Sequence, residues 1–299
     1  MNDGSLTLKQ IRVFTAVARE GSLGRAAEQL FITKSAVSMS LQQLEATLGE
    51  PLFDRIKNRL QLNARGRQLQ PLALELLQRS CDMIELFNSD GAGLTVKIGS
   101  SHTIGSSLMP RLLARLDGGL VPRLSIRNSG ELVDQLAAFE LDLAFIEADV
   151  VRPWLHREPW LVDQMQVICA PEHPLASRSG LQPADLAGYS WVLREAMSGT
   201  RSQFDKRLAV AMEDYQVALE VNSNEGIVNA VVANLGIGFL SSLSTALAVA
   251  AGRLKVLDMQ AQYPRQLYLA YHREKYQSAS LQAFIARCRV ESRGLDEEF

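Results

Sequence analysis

Residues 22–49 read Ser-Leu-Gly-Arg-Ala-Ala-Glu-Gln-Leu-Phe-Ile-Thr-Lys-Ser-Ala-Val-Ser-Met-Ser-Leu-Gln-Gln-Leu-Glu-Ala-Thr-Leu-Gly. Two short helical patterns meet here at a tight turn. Ser22 is placed to cap the first, and Ala26, Ala27 and Leu30 share one face, with the alanines small enough for a close crossing. Phe31 and Ile32 interrupt the period and are expected to plug the turn. Thr33 caps a second helix that should run to about Leu48, with Val37, Leu41, Leu44 and Leu48 facing inward and Gly49 stopping it. Lys34, Ser35, Ser38, Met39, Gln42 and Gln43 are left outside. Hydroxyls, amides and a cation on one helix face suit phosphates and base edges, which is the pattern of a DNA-reading helix-turn-helix. The plainer alternative is a helical hairpin with a solvated face.

The following segment favours DNA. Residues 51–63 alternate around Lys57-Asn58, as in a short hairpin or wing. Arg55, Lys57, Arg59, Arg65 and Arg67 then follow one another with no acid between Asp54 and Glu75. Residues 1–70 hold ten basic and six acidic side chains, whereas the 299-residue chain has a net charge of −2. A basic head on an acidic body is more informative than the overall balance.

These residues carry a family resemblance. Leu8-x-x-Ile11-x-x-Phe14, Gly21-Ser22-x-x-x-Ala26-Ala27, Ser35-x-Val37-Ser38, Leu44-Glu45-x-x-Leu48-Gly49, Leu52-Phe53-x-Arg55 and Ala64-x-Gly66 resemble the head of LysR-type transcriptional regulators. Ala170-Pro171-x-His173-Pro174-Leu175 and Leu235-Gly236-Ile237-Gly238 extend the likeness along the chain. Many members carry Arg after the Val-Ser pair, where this chain has Met39. The bidentate guanine contact of an Arg is absent there, and Met39 offers contact with a thymine methyl, or packing.

The resemblance implies an α/β protein with an N-terminal winged helix-turn-helix (1–62), a linker and dimerisation helix (63–90) and a two-lobed effector domain (91–299) of periplasmic-binding-protein type II. Lobe I would comprise about 93–163 and 267–299, and lobe II about 164–266. It also implies a cytoplasmic homodimer or homotetramer binding double-stranded DNA. Lys34, Ser35, Ser38, Met39, Gln42, Arg55, Lys57 and Arg59 are the expected DNA-binding residues.

The residues themselves support this organisation. A helix beginning at Asn63 or Arg65 should run to about Phe87, with Leu69, Leu72, Leu76, Leu77, Met83, Ile84 and Phe87 along one stripe. Nothing near in sequence covers that stripe, so a second copy is its expected cover; packing on its own chain is the alternative. Pro71 should kink or offset its first turns. Asn88-Ser-Asp-Gly-Ala-Gly93 reads as a hinge. Beyond it, strand patterns at 94–99, 124–128, 143–146, 161–169, 191–193, 217–221, 237–240 and 266–271 alternate with helical ones at 106–116, 130–138, 201–212, 224–234 and 279–288. That alternation is α/β with a mainly parallel sheet.

Several function classes are disfavoured. No apolar leader or bilayer-length apolar run occurs. Cys81, Cys169 and Cys288 form no CxxC pair and read as buried reduced thiols, with a thiol sensor as the alternative. His102, His156, His173 and His272 lack metal-ligand spacing, and no nucleophile elbow or P-loop occurs. Neither a catalytic residue nor a cofactor is expected. The competing class is an enzyme or binding module fused to a helix-turn-helix.

In α/β sheets ligands bind beyond the carboxyl ends of strands. Ser100, Ser101, His102 and Thr103 end one strand, and Glu147 follows another. Ser198, Gly199, Thr200 and Arg201, and also Ser223 and Asn224, open helices. Hydroxyls and free N–H groups at helix starts make an anion site without a buried cation, although each stretch alone reads equally as capping. Glu147 beside helix starts competes with an anion, and suits one that brings a proton for it to accept, or a cationic ligand; its plain alternative is a surface or cap partner of Arg201. Ser100-Ser101-x-Thr103-Ile104-Gly105, Phe145-Ile146-Glu147 and Ser198-Gly199-Thr200-Arg201 resemble the sulfite-responsive, YeiE/FinR-like subgroup, which implies sulfite as the small anionic effector. A carboxylate metabolite is the competing effector.

Overall fold

The computed structural model describes residues 5–56, 59–88, 95–115, 121–147, 150–212 and 214–296. The chain divides into two compact units, residues 1–94 with 274–276, and 95–273 with 277–299.

In the first unit, α1 (Leu8–Glu20), α2 (Leu23–Leu30) and α3 (Lys34–Leu48) precede a hairpin of β1 (Phe53–Ile56) and β2 (Arg59–Leu62), then α4 (Ala64–Asn88). Thr7 and Gln10 form a capping box at the start of α1. Thr33 caps α3 by accepting from the Ala36 N–H at 3.2 Å. Ser22 occupies the cap position of α2 but makes no side-chain capping bond. Ile11, Phe14, Val17, Ala26, Ala27, Val37, Leu41, Leu44, Leu52 and Ala73 form the core. Gly66 fits because a Cβ there would run into the Leu52 carbonyl and lie 2.7 Å from Leu62 Cδ2.

Three expectations change here. Phe31 does not plug the turn: it adopts the left-handed C-cap conformation (φ 55°) and is 95% exposed. The turn is closed by the backbone, with the Ile32 N–H donating to the Ala27 carbonyl at 3.1 Å, and by Ile32 packing on the core. Leu48, in the last turn of α3, is 41% exposed rather than inward. The apolar stripe of α4 is split. Leu69, Ala73 and Leu77 pack on the unit's own core, while Leu72, Leu76, Met83 and Ile84 are exposed. Helix α4 runs continuously through Pro71. The Phe87 side chain and residues 89–93 of the expected hinge lie outside the described residues.

The second unit contains β3 (Thr95–Ser100), a π-helical turn (Ile104–Leu108) leading into α5 (Met109–Arg115), β4 (Val121–Ile126), α6 (Ser129–Ala137), β5 (Leu143–Ile146) and β6 (Leu155–Cys169). It continues through β7 (Ser190–Arg194), α7 (Gly199–Arg207), β8 (Gln216–Val221), α8 (Asn224–Val232), β9 (Ile237–Ser241), α9 (Ser242–Ala250), β10 (Lys255–Val256), β11 (Tyr263–His272) and α10 (Ala279–Asp296). Among the described residues the strands join in the order β4-β3-β5-β11-β6-β9-β7-β8, with β10 also on β6. The outer pairs β3–β4, β3–β5, β7–β8 and β7–β9 are parallel. The long β6 and β11 cross the middle antiparallel to each other.

One half of the sheet buries Ile98, Leu143, Phe145, Trp160, Leu267 and Leu269 with the π-helical turn, α5 and α10. The other buries Val167, Trp191, Leu193, Phe204, Ile237 and Phe239. The sequence pattern did not reveal β10 or α9, and it started β6 six residues late because His156, Arg157, Glu158 and Pro159 hide the strand. The expected helix 106–116 begins instead as the π turn, where a Cβ on Gly105 would come 2.8 Å from Ile126 Cγ1. The expected helix 201–212 ends at Arg207, and a separate 3-10 turn follows at Ala209–Ala211.

Cys169 and Cys288 are buried as expected, whereas Cys81 is exposed on α4; all three are free. Burial pushes the Cys169 thiol up to about 11 and the Cys288 thiol up to about 12, so neither forms a thiolate readily. A maleimide at neutral pH should therefore label the native protein at Cys81 alone, and all three thiols after denaturation. Mass spectrometry of the adducts checks this; native labelling at Cys169 or Cys288 would contradict the burial.

Candidate functional site

The outer face of α3 and the wing each present exposed polar and basic side chains. Lys34, Ser35, Met39 and Gln42 are exposed, Ser38 is half-buried, and Thr33 and Ser35 share a hydroxyl hydrogen bond of 3.0 Å. On the wing, Arg55 and Arg59 are exposed on neighbouring strands and have no partner among the described residues. Lys57 lies outside the described residues. The rest of the basic run is engaged locally: Arg65 pairs with Glu50 at 3.0 Å, and Arg67 donates to the Leu62 carbonyl. This leaves Lys34, Arg55 and Arg59 as the described side chains of these elements with charge available for phosphates.

Most of the expected effector residues converge in the second unit, on a group the sequence reading did not include. Arg265, the third residue of β11, is 1% exposed. Its Nη1 donates to Glu147 Oε2 at 2.8 Å and to Thr200 Oγ1 at 3.2 Å. Nη2 donates to Thr103 Oγ1 at 3.4 Å, and Nε to Asp163 Oδ2 at 3.0 Å, with a second contact from Nη2 to the same carboxylate. Glu147 Oε1 accepts from the Ser101 hydroxyl at 2.8 Å, and Asp163 Oδ1 from the Ser241 hydroxyl at 2.7 Å. Ser198 caps α7 through the Thr200 N–H at 3.2 Å. Gly199 lets this helix start approach Glu147, since a Cβ there would sit 2.9 Å from Glu147 Cβ. Ser100, Ser101, Thr103, Glu147, Ser198, Gly199 and Thr200 are all buried.

One guanidinium thus faces two carboxylates. Burial opposes ionisation of Glu147, but Arg265 and the hydroxyls of Ser101 and Thr103 outweigh it and hold this carboxyl below its ordinary range. Asp163 moves the other way: burial, reinforced by the charge of Glu147, pushes it up despite Arg265 and Ser241. Burial opposes the charge on Arg265 as well, yet the two carboxylates hold it firmly protonated. A buried cation therefore lies at the centre of this cluster, contrary to the expectation of an anion site without one.

Arg201 is not part of that centre. Its guanidinium binds Asp205 at 2.9 Å, Glu220 at 3.1 Å and the Arg194 carbonyl at 3.1 Å, so it is not the partner of Glu147. His102, Ser223 and Asn224 instead line a neighbouring cavity of about 600 Å³. Burial and the charge of Arg194 lower the pKa of His102, which favours its neutral imidazole. Asn224 bridges the two places, donating to Thr103 Oγ1 at 3.2 Å and to Ser244 Oγ at 3.0 Å. Its Oδ1 accepts from Arg194 at 2.6 Å.

The other sequence motifs have structural roles. His173 Nδ1 caps the short 3-10 turn at Pro174–Ser177 by accepting from the Leu175 N–H at 3.2 Å. Gly236 allows close contact with β7, where a Cβ would come 2.5 Å from the Ser190 carbonyl. No group of His, Cys, Asp and Glu suited to a metal occurs among the described residues, nor is any described helix long and apolar enough to cross a membrane.

A basic helix-turn-helix face and a two-part sheet enclosing a polar cluster define a DNA-binding protein with a ligand-binding body. Residues 8–67 match the family of bacterial regulatory helix-turn-helix proteins of the lysR type, and residues 89–293 match the LysR substrate binding domain. The chain belongs to the LysR family of DNA-binding transcriptional regulators. It is 36% identical over 287 residues to the uncharacterized HTH-type transcriptional regulator YeiE of Escherichia coli K12, covering 95% of this chain and 97% of that protein. It is 32% identical to the RuBisCO operon transcriptional regulator of Allochromatium vinosum, covering 93% and 94%. In fold it is similar to ArgP from Mycobacterium tuberculosis (TM-score 0.68, 20% identity, 97% and 98% covered). It is also similar to a full-length OxyR variant from Pseudomonas aeruginosa (TM-score 0.63, 22% identity, 96% and 95% covered). The matched families and the YeiE and RuBisCO operon relatives are transcriptional regulators rather than enzymes.

Proposed function

We propose that this regulator is gated by a small oxyanion held at the Arg265 cluster, with sulfite as the effector. The observation that carries the reading is the buried guanidinium of Arg265 bonded to Thr103, Thr200 and Glu147, with Ser101 donating to Glu147, residues drawn from both halves of the sheet. These halves correspond to the two lobes of the effector domain. An oxyanion that keeps a proton near neutrality matches the mixture: the guanidinium and hydroxyls take its oxygens, and Glu147 accepts its proton. The site is closed, so binding requires the lobes to part, and the anion shifts their equilibrium by its differential affinity for the two arrangements.

The test is calorimetric titration of the full-length protein with sulfite and with sulfate, alongside gel shifts on its operator. Saturable sulfite binding that alters operator binding or transcription is expected. Thr200→Val removes the hydroxyl that accepts from Arg265 while keeping the shape, and should abolish the response with operator binding retained. A wild-type protein that ignores sulfite would refute sulfite as the effector. An intact response in Thr200→Val with impaired operator binding would refute the site.

On DNA, the exposed apolar face of α4 is assigned to a second copy, giving a cytoplasmic homodimer that can pair into a homotetramer. Two reading heads then require half-sites about one helical turn, roughly 10 bp, apart or a multiple of it. Lys34, Ser35, Ser38, Met39, Gln42, Arg55, Lys57 and Arg59 are assigned to the DNA contact. Arg55→Ala should weaken binding to all sequences and reduce the slope of log affinity against log salt by about one unit. Ser38→Ala should weaken the operator more than random DNA. Wild-type gel shifts from both variants across a salt series would contradict this placement.

A further inference from the structure

The 600 Å³ cavity beside the Arg265 cluster is of the size that holds a small organic molecule. The π-helical turn contributes Ser106 and Ser107, α8 contributes Glu225 and Val228, and the region of α9 contributes Leu247 and Arg253. Arg253 and Glu225 are exposed and their side chains have no partner among the described residues. Among those residues the cavity therefore presents one free cation and one free carboxylate, Arg253 and Glu225. Leu247, 88% exposed, stands with Val228 and Ala248 as an apolar wall.

We propose that this cavity is a second ligand site, separate from the Arg265 cluster, for a zwitterionic α-amino acid with an apolar side chain. The ligand carboxylate pairs with Arg253, its ammonium with Glu225, and its side chain lies against Leu247 and Val228. A simple anion would leave Glu225 repelling it, and a cation would meet Arg253, so the zwitterion is the ligand that satisfies both walls.

The two sites share a contact. Asn224 donates to Ser244, which lines the cavity, and to Thr103, which also accepts from Arg265. A ligand that draws Ser244 or Asn224 toward itself changes the hydrogen bonding of Thr103 and so the affinity of the inner site. That coupling must be reciprocal.

The experiment is calorimetric titration of the full-length protein with L-leucine and with L-2-hydroxyisocaproate, which has a hydroxyl in place of the ammonium. Neither titration depends on the identity of the inner anion. Leucine should bind saturably and more tightly than the hydroxy acid. Arg253→Gln and Glu225→Gln, both exposed and so tolerated by the fold, should each weaken leucine by about tenfold or more, as expected for losing a charged partner. Adding sulfite should change leucine affinity in the wild type and not in Asn224→Ala.

No saturable binding of either probe would overturn the site. Equal binding of both, with Glu225→Gln silent, would overturn the zwitterion assignment. A leucine affinity indifferent to sulfite, in a protein shown separately to bind sulfite, would overturn the coupling.

Discussion

Arg265→Met should destabilise the second unit by about 3–5 kcal/mol, because it leaves two buried carboxylates without their counter-ion. Met approximates the length of the side chain, so lost charge rather than lost volume dominates. Glu147 is 4% exposed and Asp163 3%, so water offers little compensation. The sign of the pH dependence follows. In the wild type, the lowered pKa of Glu147 stabilises the fold above its unfolded value and is lost as pH falls through the folded one. In the variant burial and the mutual repulsion of the two carboxylates are no longer opposed by a cation and favour protonation, so stability is retained at low pH and lost as pH rises. The deficit should therefore shrink as pH falls. Denaturant melts at several pH values check this. A deficit below about 1 kcal/mol, the range of an exposed pair, would show that the cluster is solvated in solution.

Glu147→Gln should convert a selective site into a permissive one. The wild-type cluster combines one cation with two carboxylates. A fully ionised dianion meets the charge of Glu147, and one unit of repulsion at about 4 Å and an effective dielectric of about 20 costs roughly 4 kcal/mol before other groups offset it. Gln keeps the shape, removes that charge and frees an Arg265 N–H from its carboxylate partner. The variant should gain sulfate affinity and lose its discrimination between sulfate and sulfite. Titration of the full-length variant with both anions is the measurement; unchanged affinities for both would place Glu147 outside the site.

The reading head was legible because its determinants are local. Thr33 and Gly49 bound α3 from adjacent positions, and Val37, Leu41 and Leu44 repeat at helical spacing. The exposure of Phe31 was not legible, since its side chain is displaced by a backbone closure that a period cannot express. Glu147 could be found because it follows a short apolar strand, β5. Arg265 was missed because its partners lie 65 to 162 positions away in the chain. One signal was available. Tyr263, Arg265, Leu267 and Leu269 share the inward phase of β11, as Leu161, Asp163, Met165 and Val167 share that of β6. A charge at an inward position on each of two strands calls for a partner, and here each is the other's. His102, Ser223 and Asn224 were grouped with the inner site because they too follow strand ends, and only the packing assigns them to the outer cavity.

The ladder between β6 and β11 has a mechanical consequence. Its hydrogen bonds run across the strands, so the ladder opposes sliding of one half of the sheet past the other. Turning about it is the softer motion. The pairing register shifts between Leu267 and Tyr268, two residues beyond Arg265. A bulge is where a ladder bends and twists at least cost. The electrostatic centre of the body thus sits beside a joint in this ladder, like a load applied next to a pivot, where a small rearrangement of the cluster would be magnified into a larger displacement at the far edges β4 and β8.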